Sequence, residues 1–482
     1  MAAALAIAPP SDDVERRASD TIRAYSAEGH HRTATAVDRA SAEALLVRAR
    51  ATGAAVSLQP FQLSRVDPVA ALVQIEDRRI EGLPMFDGAF TAAGGLRGVI
   101  GPIDGDQPFA WTRVAPNGEA ALRKLRERSP HTAIVAVTMG GKPGLCPVNA
   151  GWFNEPFGPP VLQISSEHLG AIEAASASHA EIRVVAHATR KGAQAFNLVA
   201  DVPGTDPALP PVCVMTPRSG WHANASERGG GLVCWLETLR AVVAANGPAK
   251  AGHYRNTPDR NALNRNAAGR NASDRNAADR NAADRNAADR NAAGRNAADR
   301  NAAGRNASDR NASNRNASNR NASDGNFPVV SGFSRTVGLR RTVRFVASSG
   351  HELGHLGLHD YLHRNPGLAH DALAWVHFGA NIGTSTGDVG MTPSDDRLRD
   401  AALRALTPHG LEKTRQSPAA QVGGEAATIQ AENGRFISFI GRNDWFHNPG
   451  DLYPDAADIP LVARYARAAA DLVLLLANTP AV

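Results

Sequence analysis

A chain of 482 residues with 43% hydrophobic content is long enough for two or three domains and can bury a sizeable core, which excludes a fibrous or wholly disordered protein. Its formal net charge of +5 invites a nucleic-acid or membrane reading, yet one segment carries that charge: 14 Arg stand against 8 Asp, with no Lys or Glu, between Arg255 and Asp324. The remainder is close to neutral, so the sequence predicts no nucleic acid as a partner of the folded body.

The apolar run Met1 to Pro10 has no positive flank and meets Asp12-Asp13 at once, unlike a secretory leader. The apolar stretch Ala468 to Ala477 contains Asp471 and is too short to span a bilayer. Cys146, Cys213 and Cys234 lack the spacing of a metal ribbon or a disulfide framework. Together these features predict a cytoplasmic protein with reduced cysteines and no membrane partner.

In chain order, residues 38–52 place Ala42, Leu45, Leu46 and Ala49 on one helical face, and Gly53 stops that helix before a strand from Val56 to Phe61. Residues 66–188 read as a separate block of short strands, including 131–138 and 160–165, punctuated by Gly and Pro. Beyond it strands and helices alternate. A helix over 231–247 and a buried strand over 341–350 flank a repeat, Arg-Asn-Ala-x-x, running from Arg255 to Arg320. The repeat has no apolar residue at any periodic position, so residues 251–326 are expected to be a disordered insertion in a helix-to-strand loop. The C-terminal part offers a strand from Phe436 and a helix over 459–478. Alternation of this kind predicts an α/β sandwich with a mixed, mostly parallel central sheet.

Chemistry concentrates in three places. His351-Glu352-Leu353-Gly354-His355 matches the H-E-x-x-H zinc pattern, in which His351 and His355 bind one ion and Glu352 activates water. Gly354 and Gly357 weaken the helix that pattern requires. At the end of a predicted strand, Thr216-Pro-Arg-Ser-Gly-Trp brings Arg218, Ser219 and Trp221 to a position where open α/β sheets bind ligands. There Arg218 is expected to pair with Glu227 or Glu352, while Trp221 and Trp152 read either as packing residues or as substrate platforms. The third place is Phe436 to Asp451, which contains Trp445-Phe446-His447-Asn448-Pro449.

This order of parts, with the stretch around His447, resembles the zinc aminopeptidase and glutamate carboxypeptidase family, metallopeptidase family 28. The resemblance implies an aminopeptidase-like α/β/α sandwich built from residues 1–65, 189–250 and 327–482, with a protease-associated domain inserted at 66–188. It also implies that His447 and Glu352 keep metal-ligand positions, that Glu227 stands for a bridging carboxylate, and that His351 replaces a catalytic base. Thr216 and Arg218 fall where the family has ligands, and a guanidinium cannot ligate a metal. The Asp ligand of the family aligns near Gly379, leaving His377 or Asn381 to substitute. What survives suits one zinc ion rather than two, held by Glu352, His447 and Glu227 with His351 or His355 completing the shell. The expected activity is zinc-dependent hydrolysis of a peptide or small amide substrate at a terminal amide. The alternatives are a metal-free, catalytically altered relative that binds a peptide or small ligand, and a single-zinc H-E-x-x-H hydrolase.

Overall fold

The computed structural model describes residues 13–247 and 338–480; the repeat lies outside these described residues. Two helices open the chain, α1 (Asp13–Ala27) and α2 (Ala36–Arg50). Helix α2 starts where Thr35 accepts a hydrogen bond from the Asp38 amide, satisfying one of the amides a helix N-terminus leaves open. Next come the long strand β1 (Val56–Ile75), then β2 (Arg78–Pro84), β3 (Leu96–Pro102), β4 (Phe109–Val114), α3 (Glu119–Glu127), β5 (Ala133–Thr138), β6 (Val161–Ser165) and α4 (Leu169–Ala177). A second long strand, β7 (Glu181–Val202), leads back to β8 (Val212–Pro217) and α5 (Gly229–Ala245). The chain continues through β9 (Val343–Ser348), α6 (Leu356–Arg364), α7 (Leu368–Asp371), β10 (Ala374–Phe378), β11 (Val389–Pro393) and α8 (Asp396–Leu406). It ends with β12 (Arg415–Gln416), α9 (Glu425–Ala431), β13 (Phe436–Gly441) and α10 (Ile459–Ala477).

Strands β9, β8, β10 and β13 lie side by side in parallel, with β7 antiparallel at one flank and β11 antiparallel at the other. Both faces of these strands are covered, as a parallel sheet requires. Side chains alternate accordingly: Val212 and Val214 join the layer formed by α1, α2, α5, α8 and α10, whereas Cys213 and Met215 join Leu358, Tyr361, Trp375 and Ile429 on the other face. This is the expected α/β sandwich with a mixed, mostly parallel sheet.

The β-rich part is a ring. Strand β1 pairs with β2, then β6, β5, β4, β3 and β7 follow in order, and β7 pairs back onto β1. The β1–β7 ribbon runs antiparallel from Val56 opposite Ala200 to Ile75 opposite Ile182, so it belongs to both the ring and the α/β sheet. The predicted strands at 131–138 and 160–165 correspond to β5 and β6. Among the described residues no helix is long and apolar enough to cross a membrane.

Candidate active site

Parallel strands leave a crevice beyond their carboxyl ends, where side chains from successive loops converge. Here that crevice is a cavity of about 720 Å³. Its wall includes His351 from the turn after β9, His355 from the start of α6, His377 from β10 and Glu425 from the start of α9. Asn381, Asn443 and Arg442 from the loops after β10 and β13 add polar groups.

Glu425 organises the cluster. Its Oε1 lies 2.9 Å from His351 Nδ1 and its Oε2 lies 3.2 Å from His377 Nε2. An ionised carboxylate only accepts, so His351 donates to Glu425 from Nδ1–H and its Nε2 is left out of this contact. His377 is anchored from its other nitrogen by Ser438 at 2.9 Å, and His355 Nδ1 is 3.1 Å from Thr428 Oγ1. Burial alone would raise the Glu425 carboxyl, yet its histidine neighbours hold it well below the usual carboxylate range. Burial pushes His355 down to about 4, so it is a neutral imidazole near neutrality. His351, His355 and Glu425 each offer one ligand atom, and these atoms lie within 4.8 Å of one another.

Local backbone makes this possible. Gly424 has φ +60°, and a Cβ there would come 3.0 Å from His377 Cε1, so a glycine lets Glu425 approach the imidazole. His355 sits in the left-handed region at φ 59°, a costly conformation for a residue with a side chain. It turns the chain out of the His351–Leu353 helical turn, so the two histidines do not sit one helical turn apart on one helix. Their ring centroids are nevertheless 5.2 Å apart.

The other predicted residues sit elsewhere. Glu352 is buried with its carboxylate turned to the opening helices: Oε1 accepts from the Thr33 amide and hydroxyl, both at 2.7 Å, and Oε2 accepts from Ser219 Oγ at 2.8 Å. Ser219 Oγ in turn accepts from the Gly350 amide at 2.8 Å, which makes it a structural clasp for that turn. Arg218 pairs with Asp38 at 2.7 Å, in place of the expected Glu227 or Glu352, and also donates to the Asp38 and Phe196 carbonyls. Trp221 packs edge-on against Phe86 and donates its indole N–H to Asn149 Oδ1.

Glu227 and His447 do meet, with 3.4 Å between Oε1 and Nε2, but the Arg228 guanidinium lies 2.7 Å from the same carboxylate. Burial alone would raise Glu227; Arg228 and His447 hold it far below the carboxylate range. A fixed positive charge at that distance repels a second cation, and the Glu352 carboxylate is turned away to Thr33 and Ser219. The set Glu227, Glu352 and His447 therefore does not fit a metal ion, whereas two histidines and a glutamate form the donor set of a three-ligand zinc centre.

Glu425 and Thr428 escaped the sequence reading, and the signal that marks them is Gly423-Gly424 directly before an acidic residue at a helix start. His377 was in view only as a substitute ligand.

No protein-family model and no curated protein matches this sequence. Solved structures match in three dimensions. A zinc aminopeptidase from Bacillus subtilis superposes with a TM-score of 0.60 at 13% identity, over 95% of this chain and 94% of that one. The fold is that of zinc aminopeptidases. An aminopeptidase from Aneurinibacillus sp. strain AM-1 gives 0.58 at 12% identity over 94% and 92% of the two chains. A peptidase M28 precursor from Shewanella amazonensis SB2B gives 0.60 at 12% over 97% and 96%. At such identities the likeness is one of architecture, and function has to be argued from the cavity.

Proposed function

We propose that this chain is a peptidase-like hydrolase that cleaves a peptide or small amide in the cavity at the strand ends, with one zinc ion held by His351, His355 and Glu425. The observation that carries the reading is the convergence of these three ligand atoms within 4.8 Å at the wall of a cavity of about 720 Å³. When bound, a divalent ion at such ligands supplies Lewis acidity toward a carbonyl oxygen.

The protein's own part is positional. Thr428 orients the His355 ring, as second partners of ligating imidazoles do, while Ser438 holds the His377 ring 3.2 Å from Glu425. Asn149, which accepts the Trp221 indole N–H through Oδ1, lines the cavity and has amide N–H donors to offer a carbonyl. Asn381, bonded to the Gly441 carbonyl, and Asn443, bonded to Ser226 and Asn381, line the same wall and offer polar contacts to an amide backbone.

The test is metal analysis of the purified protein together with hydrolysis of amino-acid anilides and dipeptides before and after chelation. Bound zinc near one per chain and chelator-sensitive turnover are expected. Absence of both sinks the proposal. A second reading, a metal-free relative that binds a peptide or small ligand, is favoured by one observation: Glu425 Oε1 is already engaged by the His351 ring. Tight ligand binding by chelated protein without turnover selects it.

A further inference from the structure

The cavity has a wall that the chemistry above does not use. Ala115, Pro116, Asn117 and Glu119, which precede and open α3 on the closed ring, face the same space as His351 and Glu425. Glu119 is held there by contacts to the loop that follows. Its carboxylate takes a hydrogen bond from the Gly151 amide. A Cβ on Gly151 would fall 1.7 Å from Glu119 Oε1, so the carboxyl occupies the space that the missing side chain leaves. One residue earlier, the Ala150 amide donates to the Glu352 carbonyl at 2.8 Å. The carboxyl of Glu119 is thereby tied, through residues 150 and 151, to the turn that carries His351.

We propose that Glu119 is the proton donor to the departing nitrogen when an amide is cleaved in this cavity. This rests on the hydrolase reading above and adds a catalytic acid supplied by the β-rich ring. Burial, helped by Asp87, pushes the Glu119 carboxyl up to about 7, against the opposing pull of His447 and the Gly151 amide. Asp87 is committed to Arg126 at 2.8 Å, and Arg123, one turn along α3, is committed to Glu127 and the Trp152 ring. A carboxylic acid that is about half protonated near pH 7 suits proton donation.

Water adds to the carbonyl carbon, forming a C–O bond, and the proton it sheds passes to solvent. The C–N bond then breaks with its electron pair going to nitrogen, which takes the proton of Glu119. The carboxylate left behind is reprotonated from solvent, to which the cavity opens beside the exposed Arg442.

The experiment compares leaving groups. An alkyl amine cannot depart without a proton, whereas p-nitrophenolate can. Glu119→Gln should slow dipeptide hydrolysis by about 100-fold while leaving hydrolysis of an amino-acid p-nitrophenyl ester nearly unchanged. Gly151→Ala, which displaces the carboxyl and keeps its chemistry, should show the same selective loss. In the unsubstituted protein kcat for the dipeptide should fall as pH rises through about 7, and Glu119→Gln should lack that limb. Equal losses on both substrates, or no loss on either, overturn the role of Glu119 alone. An unsubstituted protein that hydrolyses neither substrate overturns the hydrolase reading, and the proton donor with it.

Discussion

Arg218 is the residue where a functional and a structural role part most cleanly. Its guanidinium is 0% exposed and donates to Asp38 Oδ1 at 2.7 Å, to the Asp38 carbonyl at 2.9 Å and twice to the Phe196 carbonyl at 3.1 and 2.6 Å. Replacing it by Met preserves much of the stem and strands the Asp38 carboxylate, which keeps only the Ala34 amide and the Ser349 hydroxyl. Breaking a buried pair from one side costs about 3–5 kcal/mol, and the orphaned Phe196 carbonyl adds about 1 kcal/mol. Arg218→Met should therefore lower the unfolding free energy, read from urea transitions, by an amount in that range. Adding Asp38→Asn removes the stranded charge while keeping an acceptor for Ala34, and should recover about 1–3 kcal/mol. Loss of under about 1 kcal/mol, or a double variant no more stable than Arg218→Met alone, would refute a structural role for this pair.

Glu352→Gln sets an amide N–H against the Thr33 amide, Thr33 hydroxyl and Ser219 hydroxyl; it should cost about 1–3 kcal/mol and leave zinc content unchanged, and loss of zinc would return Glu352 to the ligand set. Glu425→Gln should weaken zinc binding by at least about 10–100-fold in calorimetric titration, whereas unchanged affinity would remove Glu425 from the site. Burial pushes His31 down to about 3 and His222 down to about 4 from 6.5, so the unfolded chain takes protons first as pH falls. Their stabilisation is complete above pH 6.5 and drains away toward pH 3–4, by at most about 5 kcal/mol for His31 and about 3 kcal/mol for His222. Urea midpoints should drop between pH 7.5 and 4.5, and less so in His222→Gln; equal slopes would contradict burial of neutral imidazoles.

The sandwich was legible because its elements announce themselves locally. The helix expected over 231–247 is α5 at Gly229–Ala245, the strand expected over 341–350 is β9 at Val343–Ser348, and the last helix is α10 at Ile459–Ala477. Each has an apolar pattern and a punctuating Gly, Asn or Pro. The candidate site was half legible. His351 and His355 stand out in any sequence with their spacing, although left-handed His355 shows that they meet across a turn rather than along a helix. Glu425 follows them by more than sixty positions in chain number, and only the adjacency of β10 and β13 brings its helix to β9's exit. Arg218 misled for a related reason. Its partner Asp38 lies in a helix whose apolar face was read correctly while its buried acid went unremarked.

The β1–β7 ribbon has a consequence for how such a chain is assembled and altered. Because Ile75 and Ile182 are paired opposite each other, everything between them leaves and re-enters the ribbon at a single point. Joining those two residues with a short reverse turn would keep the hairpin's register and delete β2 to β6, with the wall that bears Glu119. The α/β sheet would retain its own flank, since β7 pairs with β9 only from Leu198 onward. The ribbon thus behaves as a socket, through which one lobe can be exchanged without redrawing β9, which leads to His351, or β10, which carries His377.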